Sequence, residues 1–248
     1  MKESNKESNK ESNKELLAID LHIHSVLSPC SDDDMTPNNI VNMALLNGLD
    51  AIAVTDHNSC DNVKAVTKVA GDRIIVIPGI ELQTVEELHL LCYFSCLDHM
   101  YSFDDQIRKY YNGMANDPNF FGNQLVMNEH DEIIAIKEQS LISSLNISLD
   151  EAVQLARKCK GITVPAHINK SSYSIISQLG FIPDYLDFKL LEYSQKHHIS
   201  VDEYKEYCLI RSSDAHRLGD ILERTMLINV KDKSKKSIYD YLANPFSD

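Results

Sequence analysis

His22 and His24 stand two residues apart at the end of the apolar run AIDLHIHS, residues 18–25, with Asp20 two positions earlier. Side chains at i and i+2 share one face of a strand, so both imidazoles can reach a single ion. Of the ten histidines, His22, His57, His167 and His216 each close an apolar, strand-like run; Glu81 closes another, and Asp214 precedes His216 by two. His89 differs, because it begins its run, LHLLCYF. Taken singly, each has a plain structural explanation. An H-x-H can face solvent, a buried histidine can be a hydrogen-bonded core residue, and a strand-end glutamate can be solvated. Together they are six histidines, one glutamate and two or three aspartates at strand ends. Burying that many ionisable groups is costly unless they pair or coordinate metal. His99, His130, His197 and His198 lie in polar contexts and receive no role.

The elements that must position this set follow from periodicity. LLAIDLHI reads as a strand, and TPNNIVNMALLNGL (36–49) as a helix with Thr36 as N-cap, Pro37 in the first turn and Gly48 at the C-terminal end. DAIAVTDH (50–57), RIIVIPGIEL (73–82) and LHLLCYF (88–94) read as further buried strands. The alternation predicts a parallel α/β architecture, and α/β barrels build their sites at the C-terminal ends of their strands. Residues 95–148 break the rhythm: a helix near 102–113, then NQLVMNEHDEIIAI, whose two runs around Asn128–Asp131 read as a hairpin. The pattern resumes with a helix over 149–160, a strand over 161–167, a helix over 172–179, strands over 188–193, 208–216 and 225–230, and a terminal helix.

At 248 residues the chain is expected to form one large domain from residue 16 to 248, with 95–148 as an insertion. Residues 2–15 repeat KESN without an apolar side chain, which predicts a disordered tail that buries too little to repay its ordering entropy. Lys and Arg total 24 against 37 for Asp and Glu, a net charge of −13 that disfavours a groove for duplex nucleic acid. Small anions stay open, because a metal cluster supplies positive charge locally. No 18-residue apolar run and no signal-peptide core occur, so no membrane span and a cytoplasmic location are expected. Cys30, Cys60, Cys92, Cys96, Cys159 and Cys208 form no C-x-x-C pair, which predicts reduced thiols.

DLHIHS (20–25), AVTDHN (53–58), PGIEL (78–82), HLLCYF (89–94), PAHI (165–168) and SSDAHR (212–217) follow one another in an order that resembles the PHP (polymerase and histidinol phosphatase) family over roughly residues 17–230. Among its branches the chain is most similar to the stand-alone phosphoesterases. The resemblance implies a distorted (β/α)7 barrel holding two or three divalent ions of Mn, Zn or Fe. It implies that His22, His24 and Asp214 hold a first ion, that Glu81 bridges it to a second held by His89 and His167, and that His57 and His216 hold a third. It further implies hydrolysis of a small phosphorylated metabolite or nucleotide by a metal-bridging hydroxide. The alternatives are an exonuclease or oligonucleotide phosphoesterase, and a catalytically silent metal-binding regulatory module.

One departure concerns the remaining ligand of the third ion. Similar proteins continue the first motif with a Ser-Asp-Gly segment or a further His, whereas this chain reads SVLSPCSDDDMTP. Counting back from Pro37 selects Asp32; counting forward from His24 reaches Pro29, beside Cys30. Asp32 is preferred, then Cys30, then Asp33, while SDDD can also be a solvated loop capping the following helix. Asp20 and Asp56 precede histidines of the set and are expected to orient rings or tune their basicity; capping backbone amides is an equal reading for Asp56. Arg217 could grip phosphate oxygens as a fork or pair on the surface. Lys170 and Asn58 are further substrate-binding candidates.

Overall fold

The computed structural model describes residues 14–247, so the KESN repeat up to Asn13 lies outside them. The first half alternates as expected: β1 (Glu15–Ile23), α1 (Pro37–Leu46), β2 (Ala51–Val54), α2 (Val63–Ala70) and β3 (Ile75–Val76). α1 begins where Thr36 accepts from the Asn39 amide and Pro37 takes the first turn. The chain leaves it through Gly48 at φ +73°, a left-handed angle that glycine adopts at little cost. β1 with β2, and β2 with β3, pair parallel.

The single strand expected over 73–82 is two strands. Pro78, which has no amide hydrogen to continue a ladder, separates β3 from β4 (Gly79–Gln83). Only residues 84–88 then join β4 to β5 (His89–Phe94), too few for a crossover, and the pair is antiparallel. The all-parallel expectation is corrected here. α3 (Leu97–Ile107) starts earlier than its expected 102–113, and α4 (Pro118–Phe121) leads into the hairpin β6 (Leu125–Met127) and β7 (Ile133–Ile136), which closes over Asn128–Asp131 as expected. α5 (Leu149–Lys158) opens on a Ser148/Glu151 capping box. β8 (Gly161–Pro165) lies antiparallel on β5, and α6 (Ile175–Leu179) follows. β9 (Leu190–Ser194) and β10 (Cys208–Ser212) pair parallel, β11 (Leu227–Val230) lies antiparallel on β1, and α7 (Lys235–Ala243) ends the chain.

Among the described residues the strands form four sheets, ordered β11-β1-β2-β3, β4-β5-β8, β10-β9 and β6-β7. The first three meet edge to edge. His57 bridges to Glu81, the Ile168 amide donates to the Glu192 carbonyl at 2.9 Å, and the His24 amide donates to the Ala215 carbonyl at 2.9 Å. Between these sheets sits an apolar plug that includes Leu21, Leu91, Tyr93, Val164 and Ile210. Leu90, Cys92 and Phe94 alternate to the other face of β5, where α3 and α5 cover them; α1 and α2 cover Ala18, Ile23 and Val54. No helix among the described residues is long and apolar enough to cross a membrane.

In β1 the pairing with β2 gains one residue between Asp20 and Ile23. Before that bulge Leu17, Ile19 and Leu21 face the plug and Ala18 faces the helices; after it Ile23 faces the helices. An extra residue moves every later side chain to the opposite face. His22 and His24 therefore point inward, directly above Leu21, whose carbonyl accepts from the Tyr93 hydroxyl at 2.8 Å.

Candidate metal centre

Each inner strand delivers its groups to one rim. His22 and His24 come from the end of β1, His57 follows β2, Glu81 lies in β4, His167 follows β8, and Asp214 and His216 follow β10. Because β5 runs antiparallel to β4, with His89 opposite Gln83, its first residue reaches this rim. That geometry explains why His89 opens its run when the others close theirs. Backbone strain gathers here as well: Asn58 (φ +50°), His167 (φ +30°) and Asp214 (φ +51°) are left-handed, non-glycine residues.

Glu81 is the hub. Its carboxylate oxygens lie 2.9 Å from Nδ1 of His57 and of His89, 3.2 Å from His22 Nε2, 3.3 Å from His24 Nε2 and 3.4 Å from His167 Nε2. Asp214 Oδ1 lies 3.2 Å from His24 Nε2 and 3.4 Å from His22 Nε2, and those two nitrogens are 3.1 Å apart. All these side chains are buried; His216 is half-buried at the edge. Both Glu81 oxygens and Nδ1 of His57 and His167 are enclosed without a hydrogen-bond partner, at about 1–3 kcal/mol each if nothing answers them. Donor atoms around an ion at about 2.1 Å stand about 3.0–3.4 Å from one another, the spacing found here. The residues therefore fit divalent ions, in three groups: His22, His24 and Asp214; His57, Glu81 and His89; and His24, His57 and His216.

The outer ring nitrogens are held from behind. His22 Nδ1 faces Glu192 Oε1 at 3.2 Å, His89 Nε2 faces Gln83 Oε1 at 3.3 Å, and His216 Nδ1 donates to the Asp214 carbonyl at 2.9 Å. His24 Nδ1 donates to Ser28 Oγ at 2.9 Å, and the Ser28 hydroxyl donates to Asp56 Oδ1 at 2.7 Å. A proton fixed on the outer nitrogen leaves the inner lone pair for an ion. Burial disfavours charge on His22 and His24, yet the carboxylates of Glu81 and Asp214 outweigh it and raise both above the usual imidazole range. His57 is raised against burial to about 9 by Cys30 and Glu81, whereas burial takes His89 down to about 4 and His216 to about 3. Despite burial, the imidazoles hold Glu81 and Asp214 well below the carboxylate range. Protons and cations thus compete for the same positions.

The other sequence candidates divide. Lys170 reaches the centre, with its ammonium on Asp214 Oδ2. Asp56 supports His24 through Ser28 and also accepts from the Ser25 amide and hydroxyl. Asp20 does not orient a ring: the bulge turns it away, and it accepts from the Ser213 and Leu222 amides, pinning the segment that carries Asp214. Asn58 is corrected as a substrate donor, because its amide nitrogen is spent on the Leu141 and Ser143 carbonyls and its oxygen on the Gln83 amide. Asp32 is not brought to the cluster; its half-exposed side chain lies 3.4 Å from Arg217 Nε at the rim, and Asp33 is exposed. Sequence reasoning missed Ser28 and Glu192. A lone acid inside the buried run FKLLEY was a usable signal for Glu192; Ser28 offered none.

Eight metal-ligating side chains converge on one rim, and the family model for the PHP domain matches residues 20–244. The chain belongs to the PHP domain family. No curated protein matches it. Among solved structures, a lesion-specific endonuclease from Pyrococcus furiosus is similar with a TM-score of 0.71 and 20% identity, covering 92% of this chain and 56% of that one. The PHP chain thus spans little more than half the length of that enzyme. A protein from Bifidobacterium adolescentis described as a metal-dependent phosphoesterase gives a TM-score of 0.55 at 17% identity over 80% of this chain and 87% of its own. An amidohydrolase from Chromobacterium violaceum gives 0.55 at 17% identity over 83% and 90%. At such identities the likeness is one of fold.

Proposed function

We propose that this PHP domain hydrolyses the phosphate ester of a small phosphorylated metabolite or nucleotide, using two or three divalent ions of Mn, Zn or Fe. His22, His24 and Asp214 hold the first ion, Glu81 bridges to a second on His89 and His167, and His57 and His216 hold a third. The observation that carries this reading is Glu81, a fully buried carboxylate on which five imidazoles converge within 3.4 Å. A structural carboxylate in a core needs only two or three donors. The edge-to-edge sheets support reading the strands as a distorted (β/α)7 barrel, one metallohydrolase domain from residue 16 onward with 95–148 inserted. Six free thiols agree with a reducing, cytoplasmic compartment.

When bound, the ions supply Lewis acidity toward phosphoryl oxygens and make water nucleophilic near neutral pH. The chain's own side chains do the rest. Lys170 stands on Asp214, and its burial is outweighed by that carboxylate, which keeps it charged; its ammonium is placed to meet a phosphoryl oxygen at the same edge of the centre. The apolar plug closes the centre from below, so substrate and water enter only from the rim. Arg217, free to leave Asp32 at the surface, adds charge for a second anionic group.

The test is a panel of sugar phosphates, mononucleotides and short oligonucleotides offered to protein reconstituted with Mn or Zn. Phosphate release from the first two classes, stopped by chelator, is expected; an ion-loaded protein that turns over none of them contradicts the proposal. Fold likeness to the lesion-specific endonuclease favours a second reading, cleavage of oligonucleotides, while the net charge of −13 opposes long duplexes. Faster turnover of oligonucleotides with a steep loss in salt would select it. Fewer than about one ion per chain, with no hydrolysis, would select a silent module.

A further inference from the structure

The residues that follow His167 build the wall of a cavity beside the centre. The Lys170 amide donates to the His167 carbonyl at 2.9 Å, while the Lys170 ammonium lies on Asp214 Oδ2. Lys170 therefore borders the rim and also lines a cavity of about 450 Å³. Two segments enclose that space, 168–177 after β8 and 198–204 after β9. Asn169 fastens one loop to the other, because its side-chain amide donates to the Ser194 and His197 carbonyls and accepts from the Ser194 amide, each at 2.9 Å. The two walls are thus pinned relative to each other.

The lining is of two kinds. Ile168, Ile176 and Ile199 supply apolar surface, and Tyr204, half-buried on the same core cluster, adds an aromatic ring that can face a flat partner. The charged groups of the lining are Lys170 and the exposed Glu203. An ionised carboxylate only accepts hydrogen bonds, so Glu203 calls for hydroxyl or amino donors and repels a second phosphate. The volume lies within the range of sites that hold a whole small molecule.

We propose that this cavity is the leaving-group subsite and that it takes a nucleoside. The base lies on Tyr204 and the isoleucines, sugar hydroxyls donate to Glu203, and the single phosphate rests at Lys170 on the edge of the centre. The inference rests on the phosphoesterase reading above and narrows its substrates to nucleoside monophosphates. Hydrolysis breaks the ester P–O bond; water gives its hydroxide to phosphorus and its proton to the nucleoside oxygen, which leaves as the alcohol. A bare sugar phosphate leaves the apolar wall unmet, and a nucleoside bisphosphate or an oligonucleotide sets a further phosphate against Glu203.

Adenosine carries no ester, so its binding reads the subsite apart from turnover. Saturation-transfer NMR on the full chain as purified is expected to show adenosine held through its base protons and ribose not held, with adenosine affinity about tenfold weaker in Tyr204→Leu. In the metal-loaded chain, kcat/KM is expected to favour adenosine monophosphate over ribose phosphate, chiefly through KM, and that preference shrinks in Tyr204→Leu. Glu203→Lys, a change at an exposed side chain, is expected to move binding from the monophosphate toward a nucleoside bisphosphate, and it keeps the test decisive if circular dichroism shows Tyr204→Leu unfolded. No adenosine binding, an affinity that folded Tyr204→Leu leaves unchanged, a preference that Glu203→Lys does not move, or a bisphosphate bound more tightly than the monophosphate by the wild type overturns the inference and leaves the phosphoesterase reading intact. A metal-loaded chain that binds adenosine yet hydrolyses no phosphate ester overturns that reading and, with it, the leaving-group role.

Discussion

Ser28 and Glu192 support the two histidines of the H-x-H pair in different ways. Glu192 meets His22 Nδ1 directly, whereas His24 is reached through the Ser28 hydroxyl from Asp56. Removing that hydroxyl leaves the His24 proton unheld. Ser28→Ala is expected to weaken binding of the first ion about 10–100-fold, with Ser28→Thr retaining most of it, as read by competition with a metallochromic chelator. Unchanged affinity would make the chain of hydrogen bonds a packing detail. Charge at the centre also sets a pH optimum for the metal-free fold. His57 is raised from 6.5 to about 9, so its contribution is full below about pH 6.5 and is lost as pH rises through 9. His89 and His216 are lowered to about 4 and 3, so below pH 6.5 the unfolded chain takes up protons that the folded one refuses, and stability falls toward those values. Urea unfolding of chelator-treated protein should therefore show greatest stability near pH 6.5; a steady rise from pH 5 to 9 contradicts the assignment.

At the scale of elements, two local irregularities build the rim. Gly79 opens β4 where an added Cβ would stand 2.7 Å from Thr55 Cγ2 and 3.2 Å from Tyr93 Cδ1. Gly79→Ala should lose roughly 1–3 kcal/mol in urea unfolding, and pairing it with Thr55→Ser should recover part of the loss, since contacting sites couple; additive losses would contradict the close approach. The other irregularity is the bulge in β1. Strict alternation in AIDLHIHS puts Asp20 on the face of His22 and Leu21 on the opposite one. The extra residue places Leu21 and His22 inside together and Asp20 outside, so the pattern correctly paired the two histidines but misassigned their expected support. The same limit explains β4 and β5: runs of apolar residues announce buried strands, but strand direction depends on how few residues connect them. Most helices and strands were legible from periodicity and caps. The loop 25–36 was not, because counting cannot tell which of its side chains turns inward; tertiary contacts do, setting Ser28 between His24, Asp56 and the His57 amide and sending Asp32 out to Arg217.

For the whole molecule, the proposed ions would be both cofactor and clamp. Donors from β1, β4, β5 and the segments after β2, β8 and β10 belong to three different sheets, so ions that bind only the folded state tie those sheets together. At a free concentration about a hundred times Kd, one ion adds about 2.7 kcal/mol, which for a chain of this size raises Tm by about 5–10 °C. Scanning calorimetry with and without chelator checks this, and an unchanged Tm in a protein that has lost its metal contradicts it. Acidity acts at the same scale: a molecule carrying −13 gives mononucleotide turnover little dependent on salt and no steep, counterion-driven affinity for duplex. The central claim is that Glu81 joins the ions that hydrolyse a phosphate ester. It is tested most directly by measuring metal content and phosphate release side by side for the wild-type chain and Glu81→Ala, after reconstitution with Mn or Zn. The account predicts at least two ions per wild-type chain, fewer in the folded variant, and release of phosphate by the wild type alone; full hydrolysis by Glu81→Ala would contradict it.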